Sequence, residues 1–198
     1  LGEGSSENET VLKATGKKQY NLIEAGGSSG SISEVKNSRK KITDHYIPAG
    51  AHSFGVEDGA GFSAGDKIIV LRPGTSQWIH DIGMDRIPDS GSDTVEQWNP
   101  STYDYRYERV ITNVQNNVVT IDAPIVDAME DQYGGGWIYK YTFSGRINHV
   151  GIENIRMESE YDTLLGDNDE QHGWIAENMN YIQDSWIRSV TTRYLGMG

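Results

Sequence analysis

The strongest constraint on this chain is a repeat near its C-terminal end. With "HVGIENIRMES" (149–159) set beside "DSWIRSVTTRY" (184–194), Ile152 falls on Ile187, Asn154 on Ser189 and Ile155 on Val190, each 35 residues apart. A further apolar stretch, "GWIAEN" from Gly173 to Asn178, lies between them, about 23 residues after the first. Strand–turn–strand units recurring at roughly 22–25 residues, with Asn or Ser at the bend, predict coils of a parallel β-helix. Stacked coils put like residues over like, and an Asn or Ser buried at the bend is expected to satisfy backbone groups at the corner.

The offset of 35 exceeds one such coil. Removing about a dozen residues of "SEYDTLLGDNDEQHGW", Ser159 to Trp174, restores the shorter spacing, so this acidic stretch reads as an insertion between two rungs. The same alignment places Glu153 beside Arg188 and Glu158 beside Arg193 on adjacent strands. Exposed opposite-charge neighbours of that kind stabilise by ~0.2–1 kcal/mol.

The rest of the chain divides by texture. Residues 1–44 alternate short apolar stretches (Val11-Leu12, Leu22-Ile23, Ile32, Val35) with Gly and Ser turns, and read as N-terminal rungs. Residues 45–145 read as an inserted β-barrel-like module. It includes a strand from Lys67 to Arg72, a hairpin in "RYERVITNVQNNVVTIDAPI" turning at Asn116-Asn117, and a strand from Trp137 to Phe143. Residues 146–198 read as C-terminal rungs. The fold class expected is therefore all-β: right-handed parallel β-helix rungs interrupted by a small barrel-like insertion. The chain opens on Leu1 and stops within "RYLGMG", so both ends read as cut and the segment as internal to a longer protein.

Composition fits this class, with 23 glycines and 11 tyrosines in 198 residues. A net charge of −12 and a single short basic cluster, "NSRKKI", argue against nucleic acid as a partner. The longest apolar run, "IIVL", is far too short for membrane insertion by a helix. With no cysteine, disulfide frameworks and thiolate chemistry are excluded. "GGSSG" at Gly26 to Gly30 fits a nucleophile-elbow pattern, but a strand-like "SISEV" follows where a helix is required, so it reads as a turn.

Several phrases, among them "GFSAGDKIIVLRPGTSQWI", "ERVITNVQNNVVTIDAPI", "YGGGWIYKY", "RINHVGIENIRMESEYD" and "WIRSVTTRYLG", resemble segments of bacterial secreted proteins of the pectate-lyase-like superfamily. The resemblance implies right-handed parallel β-helices, an extracellular or cell-surface location, and polysaccharide as the partner. It also implies either Ca²⁺-assisted β-elimination with an Arg or Lys base, or hydrolysis by paired carboxylates. No catalytic motif of that superfamily can be carried over residue by residue, so the candidates come from the residues themselves.

For hydrolysis, Glu158, Glu160, Asp162 and Asp169 are near enough in sequence to supply a carboxylate pair. For elimination, Arg188 or Arg193 would act as base. A calcium site would draw on Asp167, Asp169 and Glu170; it is not an EF-hand, because Gln171 and His172 stand at the fifth and sixth loop positions. His172, Trp174 and Trp186 are the candidates for contact with sugar. Two functions follow: a carbohydrate-active lyase or hydrolase, or a non-catalytic extracellular structural or adhesive subunit. The second would assemble through exposed β-helix ends, with further rungs from its own longer chain or from other copies.

Overall fold

A computed structural model describes residues 2–89, 91 and 94–197. The described residues are nearly all β, with sixteen strands, one six-residue helix and three short 3-10 turns among them. The chain forms two compact units, one built from the segments up to Ser31 and from Phe143 onward, the other from Ile32–Thr142.

The strands follow in chain order. β1 (Val11–Ala14) and β2 (Asn21–Gly26) open the first unit. The second unit holds β3 (Ile32–Glu34), β4 (Lys40–Lys41), β5 (Tyr46–Ile47), β6 (Ser53–Gly55) and β7 (Lys67–Arg72). After helix α1 (Ser76–Asp81) come β8 (Tyr105–Gln115), β9 (Val118–Ile121), β10 (Met129–Glu130) and β11 (Trp137–Phe143). The chain then returns to the first unit with β12 (Ile147–Asn148), β13 (Gly151–Ser159), β14 (Ile175–Asn180), β15 (Ile182–Gln183) and β16 (Trp186–Arg193).

In the first unit every strand pair is parallel. β13 lies between β1 and β16, β2 pairs with β14, and β12 with β15. The aligned repeat is a true register: Ile152 pairs with Ile187, Ile155 with Val190, Glu153 with Arg188 and Glu158 with Arg193. Between these pairs Asn154 (φ 52°) and Ser189 (φ 53°) both turn into the left-handed region. One bend above, His149 (φ 57°) and Asp184 (φ 48°) do the same, again 35 residues apart. Asn and Asp tolerate this conformation; Ser adopts it only where its neighbours impose it. The bend is thus made by backbone and not by a buried side-chain ladder, because Asn154 is only half-buried and Ser189 is exposed.

In the second unit the pairs β5–β10, β4–β11, β7–β11, β7–β8, β8–β9 and β6–β9 are antiparallel. Its main path runs β3-β11-β7-β8-β9-β6, with β4 also on β11. A bridge between Ile42 and Val56 joins the end of β4 to the chain just after β6, so the hydrogen-bonded path returns through β4 to β11. Inside it, Ile68, Val70, Phe54, Ile111, Ile121 and Ile138 belong to one buried cluster. β7 is buried on both faces: Ile69 and Leu71 point the other way, against Tyr139 and the partly buried Ile32 and Trp137. The β8–β9 hairpin turns at Asn116 (φ 49°) and Asn117 (φ 64°), the pair of positive φ values a two-residue hairpin loop needs.

Candidate functional site

The first unit carries an irregularity that builds a site. Val11 pairs with Arg156, an offset of 145, whereas Asn21 pairs with Ile175, an offset of 154. The connection from β13 to β14 is therefore nine residues longer than that from β1 to β2 directly beside it. The excess lies in the acidic stretch.

That stretch is held by its own carboxylates. Asp169, nine-tenths buried, accepts hydrogen bonds from the backbone N–H of Asp162 (2.7 Å) and of Gln171 (2.9 Å). These two bonds hold its carboxyl below the usual aspartate range, so it stays ionised at neutral pH. Asp162 in turn accepts from the Leu164 N–H at 2.9 Å, closing a small turn. At the far end, the Gly173 N–H donates to Ser159 Oγ at 3.0 Å. A side chain at Gly173 would place its Cβ 2.5 Å from the Ala14 Cβ, so glycine is required where the loop rejoins the strands.

Between this loop and the neighbouring end of β1 lies an open groove of about 780 Å³. Its acidic side comes from Glu158, Glu160, Asp162, Asp169 and Glu170, its basic side from Lys13 and Lys17. Tyr161 and Tyr194 also line it, ring centroids 4.8 Å apart and tilted by 34°. Both residues are partly exposed, at 37% and 42%.

The structure gathers some of the sequence candidates and separates others. Glu158, Glu160, Asp162 and Asp169 all face the groove. His172 does not line it: it is buried, with its ring near those of Tyr161 (6.5 Å) and Trp174 (5.9 Å). Its Nδ1 has no hydrogen-bond partner among the described residues. Trp186 does not line it either; its indole N–H donates to Glu153 at 2.7 Å. Arg188 also pairs with Glu153, and Arg193 pairs with Glu7 at 3.0 Å while lying over the Tyr194 ring. The register partners Glu158 and Arg193 do not pair with each other. Glu158 accepts instead from the buried Arg156 (3.1 Å), whose other nitrogen reaches Glu7 (3.4 Å), so Glu7 and Arg156 link the two. Neither arginine proposed as a base faces the groove, because each is drawn off by a glutamate.

The calcium set does not converge. Among the described residues no three His, Asp or Glu side chains stand close enough to share an ion. Sequence reading missed Lys13, Lys17, Tyr161 and Tyr194. The parallel pairing of Ala14 with Ser159 brings the lysines to the groove from about 145 residues away, and no local pattern announces it.

No protein-family model and no curated protein matches the chain. Among solved structures it is similar to the tailspike protein of Pseudomonas phage LKA1, at 18% identity and TM-score 0.36, covering 79% of this chain and 21% of that one. It is also similar to the tailspike of Acinetobacter baumannii bacteriophage AP22, solved in complex with A. baumannii capsular saccharide (13% identity, TM-score 0.39, 94% of this chain and 24% of that one). A third is the tailspike of Pseudomonas phage phi297, at 12% identity and TM-score 0.39, covering 88% and 24%. The chain spans between a fifth and a quarter of the length of each.

Proposed function

We propose that this chain is part of an extracellular or cell-surface protein that binds polysaccharide, and that its first unit is a segment of right-handed parallel β-helix. The observation that carries the binding reading is the groove beside the enlarged β13–β14 connection. Its volume of about 780 Å³ suits one or two sugar units. Its walls combine carboxylate acceptors and lysine donors with two partly exposed tyrosines, the mixture that hydroxyl-rich, partly apolar sugar faces require. The β-helix reading is supported by the 35-residue parallel registers of β12 with β15 and β13 with β16.

Binding is better supported than cleavage. Arg188 and Arg193 are engaged by glutamates, which removes the expected bases from an elimination. Asp169 is held ionised and fits a base or nucleophile, but not the proton donor that hydrolysis also needs.

A soluble glycan array probed with the protein tests this reading. Hits are expected, and Tyr161→Ala and Tyr194→Ala are each expected to weaken them by about tenfold, in keeping with the worth of a lost ring contact. Trp186→Ala should leave them unchanged. Hits that depend on Trp186 and ignore both tyrosines would place recognition elsewhere.

A second reading, assembly, is favoured by β16. It is the edge of its sheet and exposes Trp186 (43%) and Ile187 (47%). Such an edge is a template for another coil, from the same polypeptide or from another copy. Sedimentation at rising concentration tests the second source. Association that Ile187→Lys abolishes supports it, and a monomer throughout contradicts it.

A further inference from the structure

The electrostatics of the groove point to its ligand class, on the assumption that the groove binds sugar as proposed above. We infer that it selects against polyanionic glycans, taking uncharged or amino-bearing sugar units, and that it does so without calcium.

The lining charges are five carboxylates against two ammonium groups. Two of the carboxylates are already answered. Lys13 Nζ sits 3.2 Å from Glu160, and the buried Arg156 guanidinium holds Glu158 at 3.1 Å. Asp162, Asp169 and Glu170 then remain against Lys17 alone. Asp169 cannot relieve the imbalance by taking up a proton near neutrality, since two backbone N–H groups stabilise its charged form. Lys17 makes no ion pair among the described residues, but its field already acts on Asp169. The wider chain adds to the same sign, at −12 overall.

A uronate or sulfate entering the groove would therefore meet excess negative charge from the wall. The usual remedy is a cation shared between ligand and protein carboxylates. That remedy is poorly supported by the side chains themselves, because among the described residues no three carboxylates converge on one point. A neutral sugar meets no such cost. Its hydroxyls can donate to Asp162 and Glu170, and an amino sugar adds a favourable charge at the same place. Of the two chemistries that the resemblance to pectate-lyase-like proteins implies, the groove departs from the calcium-assisted one.

The test is a glycan array holding neutral, amino-bearing, uronic and sulfated members, probed with the 198-residue chain in EDTA and again with calcium. Wild type, Tyr161→Ala and the double variant E160Q/E170Q are compared. The expected hits are neutral or amino sugars, unchanged by EDTA and weakened in Tyr161→Ala. Uronic counterparts of those hits should bind at least about tenfold more weakly at low salt. That gap should narrow at 1 M salt, where screening acts within about 3 Å, and should also narrow in E160Q/E170Q. Hits that are mainly uronic or sulfated, or that need calcium, yet still fall with Tyr161→Ala, would overturn the ligand class and leave the binding site standing. An array with no hits, or with hits indifferent to Tyr161 and Tyr194, would overturn the binding reading and the ligand class with it.

Discussion

The two units of this chain are made of the same kind of residue and held by different means. In the antiparallel unit, thirteen buried apolar residues form one cluster inside a path of strands that returns on itself. In the parallel unit only Ala14, Ile152, Met157 and Ala176 are buried apolar side chains among the described residues. Its strands are ordered instead by backbone register, by ion pairs such as Glu153–Arg188, and by left-handed bends repeated at 35-residue spacing. The difference separates stability from recognition. Side chains that fill a core are lost to ligands, whereas a stack held mainly by its backbone leaves its side chains free to build a groove.

The sharpest way to break this comparison is by truncation. Phe54→Ala, inside the antiparallel cluster, is expected to cost about 3–5 kcal/mol. Ile187→Ala on exposed β16 should change stability by less than about 0.5 kcal/mol. Chemical denaturation of both variants measures the contrast, and equal losses would mean that β16 is far better covered than its exposure indicates.

Next in size is the anchor of the acidic loop. Asp169→Ala leaves two backbone N–H groups without their acceptor and should loosen the loop locally. Amides of Asp162 and Gln171 should then exchange faster, while those of Ile68 and Val70 keep their rate. A global loss of protection would make the loop part of the cooperative fold and not a local addition.

Acid acts on the same anchor. The folded pKa of Asp169 lies below its unfolded value near 4, so the stabilisation is present above about pH 4 and is lost as pH falls through the lower folded value. Loop amides should open on acidification below pH 4, and Asp169→Asn should show no such step. A step that persists in the variant would assign it to another carboxylate.

The smallest effect belongs to the surface. Glu153→Gln removes one partner of an exposed arginine and should cost less than about 1 kcal/mol by denaturation. A larger cost would show that ion pairs, more than backbone register, hold β16 to β13.

These contrasts also mark what could be read from sequence. The β13–β16 register was legible because parallel stacking lays like on like: Ile152 over Ile187, Glu153 over Arg188. The Asn116-Asn117 turn was legible from the tolerance of asparagine for left-handed backbone. Of the two expected ion pairs Glu153–Arg188 forms, but Glu158–Arg193 does not, since Arg193 finds Glu7 from 186 residues away and Arg156 takes the glutamate that register alone gives to Arg193. The groove was not legible, because half its wall comes from β1 and the chain after it. Residues 32–142 intervene before β13 returns beside that wall, and nothing in "VLKATGK" announces its neighbours. The bends were foreseen at Asn154 and Ser189, but as buried side chains. The left-handed backbone does that work instead, leaving the side chains at the surface.

The most direct measurement is an amide chemical-shift map of the intact chain titrated with a neutral oligosaccharide that binds it on the array. The account predicts shifts at Lys13, Tyr161, Asp162, Asp169 and Tyr194, with Ile68 to Leu71 unmoved. Shifts confined to the antiparallel unit, or spread along β16 with the groove silent, would contradict it.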